Sequence, residues 1–305
     1  MSSEKNAPLQ SAITDFGSPM FLGIGVPKGA TTWLYELLET HPDVWLAKAR
    51  EMHFFDRDAY FDRGLKWYRD FFPSLDEWGN YKAVGEITPS YLYCDDSRIE
   101  FIVENIPGLD KFICIVRNPI NRTFSYYKHF QRLGNLPAGQ TFEEFLQNPN
   151  YPAVERLYGA HLSRWFKFYD RNQFLILVFE EIFEDIERAK QQICDFLGLD
   201  HDKFPRDAGT DKVNEGFTPK YPRIYALAVR SRRFIQELGL YSLIRALKKL
   251  RVDKLFVSRK RNAVSAPMDP ATRQKLKNDL ADDVELLEQI LGRKISAWKD
   301  FDSKP

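Results

Sequence analysis

Residues 26 to 33 read Val-Pro-Lys-Gly-Ala-Thr-Thr-Trp. A lysine in a glycine-bearing turn, two hydroxyl side chains and the N–H groups of residues 29 to 33 at a helix start would together cradle an anion. The chemistry such a cradle serves is the holding of a negatively charged group. In an ATP-type phosphate loop, lysine stands directly before Ser or Thr at the end of a glycine-bounded run, so that the hydroxyl can hold magnesium. Here Lys28 precedes Gly29 and Ala30, and Thr31 and Thr32 follow them. The magnesium arrangement is missing. On these residues alone, an anion cradle and a strand-to-helix turn with capping threonines remain equal readings.

A cradle of this kind needs a buried strand to deliver the turn and a helix to follow it. Four runs rich in β-formers, FLGIGV (21–26), YKAVGEI (81–87), KFICIVR (111–117) and FLILVF (174–179), each precede a segment of helical period. The runs are apolar throughout instead of alternating, as strands buried on both faces are. The expected fold is therefore α/β, a central parallel sheet flanked by helices. Gly198 reads as a helix C-cap, and Pro270 and Gly292 bound a terminal helix with Trp298 as its anchor.

Composition narrows the partners. The 305 residues carry 44 basic and 43 acidic side chains, a net charge of +1 that gives no support to nucleic-acid binding through bulk charge. Thirteen Lys and Arg against Glu237 and Asp253 crowd into residues 220–261, which read as a basic helical segment. Its charges face water, or they dock an anionic acceptor, a carrier protein or an anionic surface. Cys94, Cys114 and Cys194 lack metal-ligand spacing, and the histidines outside residue 53 form no cluster, so no metal site is expected. The first 18 residues read as a loose arm before a single domain over 19–305. They show no basic-then-apolar leader, and no run approaches the roughly 20 apolar residues that span a bilayer. A cytoplasmic setting without a transmembrane segment is the expectation.

VPKGATTWL resembles the phosphosulfate-binding loop of the sulfotransferases, which use 3′-phosphoadenosine 5′-phosphosulfate as donor. Far downstream, IVRNPINRTFSYYKHF (115–130) resembles the same family's 3′-phosphate site. The resemblance implies a P-loop-NTPase-like sulfotransferase fold. It assigns Lys28, Gly29, Ala30, Thr31, Thr32 and Trp33 to the sulfated end of the donor, and Arg117 with Ser125 to its ribose phosphate. Guanidinium offers phosphate a planar fork and serine adds a neutral donor, so the second pairing is chemically apt. REMHFFDRD (50–58) resembles the Glu-x-His-Phe-Phe-Asp segment of heparan-sulfate-type members. By that likeness Glu51 takes the acceptor proton, His53 sits on the same side of an extended segment to orient the acceptor or hold Glu51, and Asp56 supports His53. Lys28 then neutralises charge on the leaving oxygen. His53, with an unperturbed pKa near 6.5, is the rival base.

Two positions depart from the family pattern. Ala30 stands where glycine is usual, which matters if the backbone there takes positive φ. In VGEITPSYL (84–92), Ile87 replaces a lysine that carbohydrate-acting members often place near the acceptor, which favours a neutral glycan, small alcohol or hydroxyacyl group over an acidic sugar polymer. The expected function is O-sulfotransfer to an acceptor hydroxyl without a metal. The alternatives are an ATP-dependent kinase of related fold and a non-catalytic nucleotide-binding or docking module.

Overall fold

The computed structural model describes residues 19–47, 49–137, 139–148, 151, 153–210, 218–219, 257–258 and 267–302. The expected N-terminal arm, nearly all of the basic segment and most of the loop after residue 211 lie outside the described residues. In chain order the elements are β1 Phe21–Gly25, α1 Thr31–Glu39, β2 Val44–Leu46, the short helices α2 Asp58–Phe61, α3 Gly64–Arg69 and α4 Leu75–Trp78, then β3 Ala83–Ile87, α5 Asp96–Asn105 and β4 Lys111–Val116. They continue as α6 Pro119–Leu133, α7 Phe142–Leu146, α8 Tyr158–Trp165, β5 Phe174–Val178, α9 Phe179–Glu184, α10 Ile186–Leu197 and the terminal helix α11 Pro270–Leu291. They fall into two compact units: Met1–Val116 with Ala160–Asp211, and Arg117–Gly159 with Lys212–Pro305.

The first unit holds a five-stranded sheet in the order β2-β3-β1-β4-β5. Every neighbouring pair is parallel, as the unbroken apolar runs require. All five residues of β1 and of β3 are buried. β1 and β3 approach closely because Gly85 has no side chain: a Cβ there would lie 2.4 Å from the Phe21 carbonyl oxygen. The three residues of β2 are too few for a periodic signal, and this strand escapes sequence reading. Gly198 ends α10 at φ 72°, in the left-handed region that glycine enters without strain.

The second unit packs α6 on α7 and α11. Ile120 and Tyr127 of α6 share a buried cluster with Phe142, Phe145, Leu276 and Leu280. Helix α6 starts as Asn118-Pro119 demands. The Asn118 side chain accepts the N–H groups of Ile120 and Asn121, and Pro119 occupies the first turn, where its missing N–H costs nothing. The Asn118 Nδ2 donates to Asp300 at 2.9 Å, and Asp300 is paired in turn with Arg273 at 2.7 Å, tying the chain end to the start of α6. Trp298 is fully buried, its ring 6.4 Å from that of Tyr158. Thr218 and Pro219 pair antiparallel with Ser258 and Val257.

Candidate active site

The turn after β1 forms at the sheet's C-terminal edge. The Val26 N–H donates to the Ile115 carbonyl at 3.0 Å, and the Gly29 N–H donates back to the Val26 carbonyl at 2.8 Å. Gly29 therefore spends its N–H on closing the turn, and the cradle's backbone donors come from further on. A Cβ at Gly29 would lie 2.5 Å from the Ile115 oxygen, so only glycine fits. Lys28 and Ala30 flank it at φ 70° and 74°. A non-glycine residue in this region costs about 1–2 kcal/mol, and Ala30 does stand where positive φ makes glycine the usual choice. With Ala30 as N-cap, the first turn of α1 presents the N–H groups of Thr31, Thr32 and Trp33 without intrahelical acceptors, as helix starts do. The Trp33 indole turns inward and donates to the Gly209 carbonyl at 2.9 Å, so its side chain anchors the helix.

Arg50 fastens the Glu51 segment to this turn. Its guanidinium donates to the Thr32 carbonyl at 3.3 Å and to Glu36 at 2.9 Å, both on α1. Glu51 follows directly, half-exposed, with its carboxylate 3.4 Å from His53 Nε2. On the ring's other side Nδ1 lies 3.0 Å from Asp56, and Ser90 Oγ donates to the same Asp56 oxygen at 2.6 Å. Contrary to what the resemblance implied, the segment is not extended at His53. His53 sits at φ 54°, so the chain turns there and sets its imidazole between the two carboxylates. Burial disfavours the charged ring, yet the hydrogen bonds to Asp56 and Glu51 outweigh it and raise the His53 pKa. For Asp56, burial is opposed by His53 and Ser90, which leave its pKa lowered. Phe54 and Phe55 are fully buried.

Beneath this segment lies Glu86, on β3 and 1% exposed. Tyr68 and Tyr91 donate to one of its oxygens at 2.9 and 2.8 Å, and Thr88 donates to the other at 2.7 Å. Burial pushes the carboxyl up to about 7 against the pull of these three donors. Sequence reading passed over it, although a glutamate inside an apolar strand run is itself a signal, because an unpartnered charge there would be prohibitive. Arg50 and Ser90 had no comparable signal.

In the second unit, Arg117 directly precedes the Asn118 cap, and Ser125 lies on α6. Lys128, one helical turn after Ser125, went unremarked in the sequence. Burial, then the charges of Arg117 and Arg132, lower its pKa, so Lys128 feels both guanidinium groups. An anion placed among them would relieve their mutual repulsion.

The parallel sheet thus ends in a glycine-closed turn at a helix start, and a carboxylate–imidazole pair is tied to that turn, an arrangement that can hold an anion beside a proton acceptor. The chain belongs to the sulfotransferase family: residues 19–215 match the family model described as "Sulfotransferase domain". Human heparan sulfate glucosamine 3-O-sulfotransferase 3B1 is 34% identical over 208 residues, which are 63% of this chain and 50% of that protein. Human heparan sulfate glucosamine 3-O-sulfotransferase 3A1 is 35% identical over 193 residues, 59% of this chain and 44% of that protein. The chain thus spans about half the length of the relatives it matches. A sulfotransferase structure from Alicyclobacillus acidocaldarius aligns with a TM-score of 0.65 at 23% identity, over 93% of this chain and 99% of that one, a likeness of fold.

Two outcomes test this local reading. Ala30→Gly removes the left-handed strain and should stabilise the folded protein by up to about 1 kcal/mol, after glycine's own entropy cost, as measured by urea unfolding. The second concerns pH. His53 is raised above 6.5 on folding, so its contribution is full below that value and is lost as pH climbs through the folded pKa. Asp56 is lowered below 3.8, so its contribution is full above that value and is lost as pH falls through the folded pKa. The melting-temperature gap between wild type and Asp56→Asn should be widest between these two limits and shrink at either side. A gap independent of pH would show that the pair is not ionised.

Proposed function

We propose that this protein transfers a sulfuryl group from 3′-phosphoadenosine 5′-phosphosulfate to an acceptor hydroxyl. One observation supports it above the rest: Arg50 bonds the first turn of α1, so the residue that follows, Glu51, is held beside the anion cradle. In this reading Lys28 and the N–H groups of Thr31, Thr32 and Trp33 bind the sulfated end. Arg117 and Ser125 bind the ribose phosphate, with Lys128 adding positive charge.

The donor, when bound, supplies an activated sulfuryl group on a good leaving phosphate. Glu51 accepts the acceptor's proton as the new sulfur–oxygen bond forms and the phosphosulfate bond breaks. Lys28 offsets the charge that grows on the leaving oxygen. His53 serves Glu51 as an orienting cation: with Nδ1 bonded to Asp56, a neutral ring would turn a lone pair on the Glu51 carboxylate, whereas the imidazolium gives it a donor. That choice assigns the base to Glu51 over His53.

The acceptor is a hydroxyl-bearing molecule. The relatives' names specify heparan sulfate, but Ile87 brings no charge toward an acidic polymer. It is 2% exposed, and its side chain fills the space left by Gly23, where a Cβ would come within 2.8 Å. With no cation supplied from this position, the acceptor proposed is a neutral sugar, small alcohol or hydroxyacyl group.

Nucleotide melts and one variant decide the matter. The bisphosphate product, at a hundred times its Kd, should stabilise the protein by about 2.7 kcal/mol, and ADP with magnesium should do less. A larger shift with ADP would favour the kinase reading. Glu51→Gln should keep the bisphosphate shift and lose transfer by about a hundredfold or more. Undiminished transfer would remove Glu51 as base.

A further inference from the structure

We propose that Glu86 is a positioning residue for the transfer reaction, acting through the hydroxyls of Thr88 and Tyr91 on the backbone that presents Glu51 and His53. This rests on the reading of Glu51 as base. Three consecutive N–H groups of that backbone end on these two hydroxyls. Thr88 Oγ1 accepts the Met52 N–H at 3.0 Å and the His53 N–H at 3.5 Å, and the Tyr91 hydroxyl accepts the Phe54 N–H at 2.9 Å. Residues 52 and 53 lie outside helix and strand, so no ladder satisfies their N–H groups.

A hydroxyl holds one proton and two lone pairs, and to accept an N–H reliably it must aim its proton elsewhere. Glu86 provides that target for both hydroxyls, Thr88 on one carboxylate oxygen and Tyr91 on the other. Tyr68 adds a third donor from α3. Each O–H therefore points at the carboxylate and each oxygen turns its lone pairs to the segment above. The left-handed turn at His53, which a free chain would relax, is held by this arrangement. A carboxylate performs this task and a carboxamide does not. The NH2 of a glutamine would donate to one of the hydroxyls, and that hydroxyl would have to send its proton toward an N–H.

The assignment makes residue-specific predictions. In the full chain, amide hydrogen exchange followed by NMR should accelerate about tenfold in Glu86→Gln at the N–H groups of whichever hydroxyl faces the glutamine NH2, either Met52 with His53 or Phe54, the scale of one lost hydrogen bond. Thr88→Val should free Met52 and His53 but leave Phe54 protected, Thr88→Ser should restore the wild-type pattern, and Tyr91→Phe should free Phe54 alone. The bisphosphate-induced melting shift should persist in all four variants. With p-nitrophenyl glycoside or heparan sulfate as acceptor probe, kcat should fall in Glu86→Gln and Thr88→Val while the donor KM stays within about twofold of wild type. Wild-type protection at residues 52–54 in Glu86→Gln would overturn the proposal, and so would a uniform loss of protection through the sheet. The exchange pattern is independent of the role of Glu51, so an active Glu51→Gln alongside the expected pattern would sink the base assignment and leave the positioning intact.

Discussion

A carboxylate inside an apolar parallel sheet is the constraint around which the first unit is arranged. Glu86 is affordable there because three hydroxyls converge on it, from Tyr68 on α3 and from Thr88 and Tyr91 just after β3. The hydroxyls of Thr88 and Tyr91 then hold the segment between residues 52 and 54. A buried carboxyl thereby dictates the conformation of the segment that follows Glu51. The aromatic cluster of Phe54, Phe55, Tyr68 and Tyr91 packs around the same point, excluding water from the polar contacts it encloses.

Strain collects where the chemistry is placed. The non-glycine residues with positive φ among the described residues are Lys28, Ala30 and His53, two in the anion cradle and one in the Glu51 segment. Each is held by neighbours: the turn at Lys28 and Ala30 by the Val26–Ile115 and Gly29–Val26 hydrogen bonds, and His53 by Thr88. Such conformations persist where surrounding contacts over-determine them. The second unit follows a quieter rule, in which an asparagine cap, a proline and an Asp300–Arg273 pair start α6 next to Arg117.

Much of this could be read from the chain. The four apolar runs became β1, β3, β4 and β5, and Asn118-Pro119, Gly198, Pro270 and Gly292 mark helix ends because capping is a local matter. Glu51, His53 and Asp56 could be grouped through the resemblance of REMHFFDRD to a family segment, and the structure brings the three side chains together. Arg50, Ser90 and Lys128 could not, since nothing in a single arginine, serine or lysine shows what it faces. Glu86 stood in plain view inside AVGEI, but its three donors come from positions 68, 88 and 91, and the first of these carries no sequence hint.

What the sequence by itself determined was therefore local or periodic: strands buried on both faces, a lysine placed against the magnesium-binding pattern, and the order along the chain of the motifs that carry the family resemblance. The tertiary structure decided which hydroxyls face Glu86, that Gly29 spends its N–H on the turn, that Ala30 occupies the left-handed region and that Arg50 joins the Glu51 segment to α1. The division has a physical cause. Hydrophobic periodicity and capping depend on neighbours a few residues away, whereas a hydrogen bond across the sheet depends on register and close approach, which exist once the strands have paired.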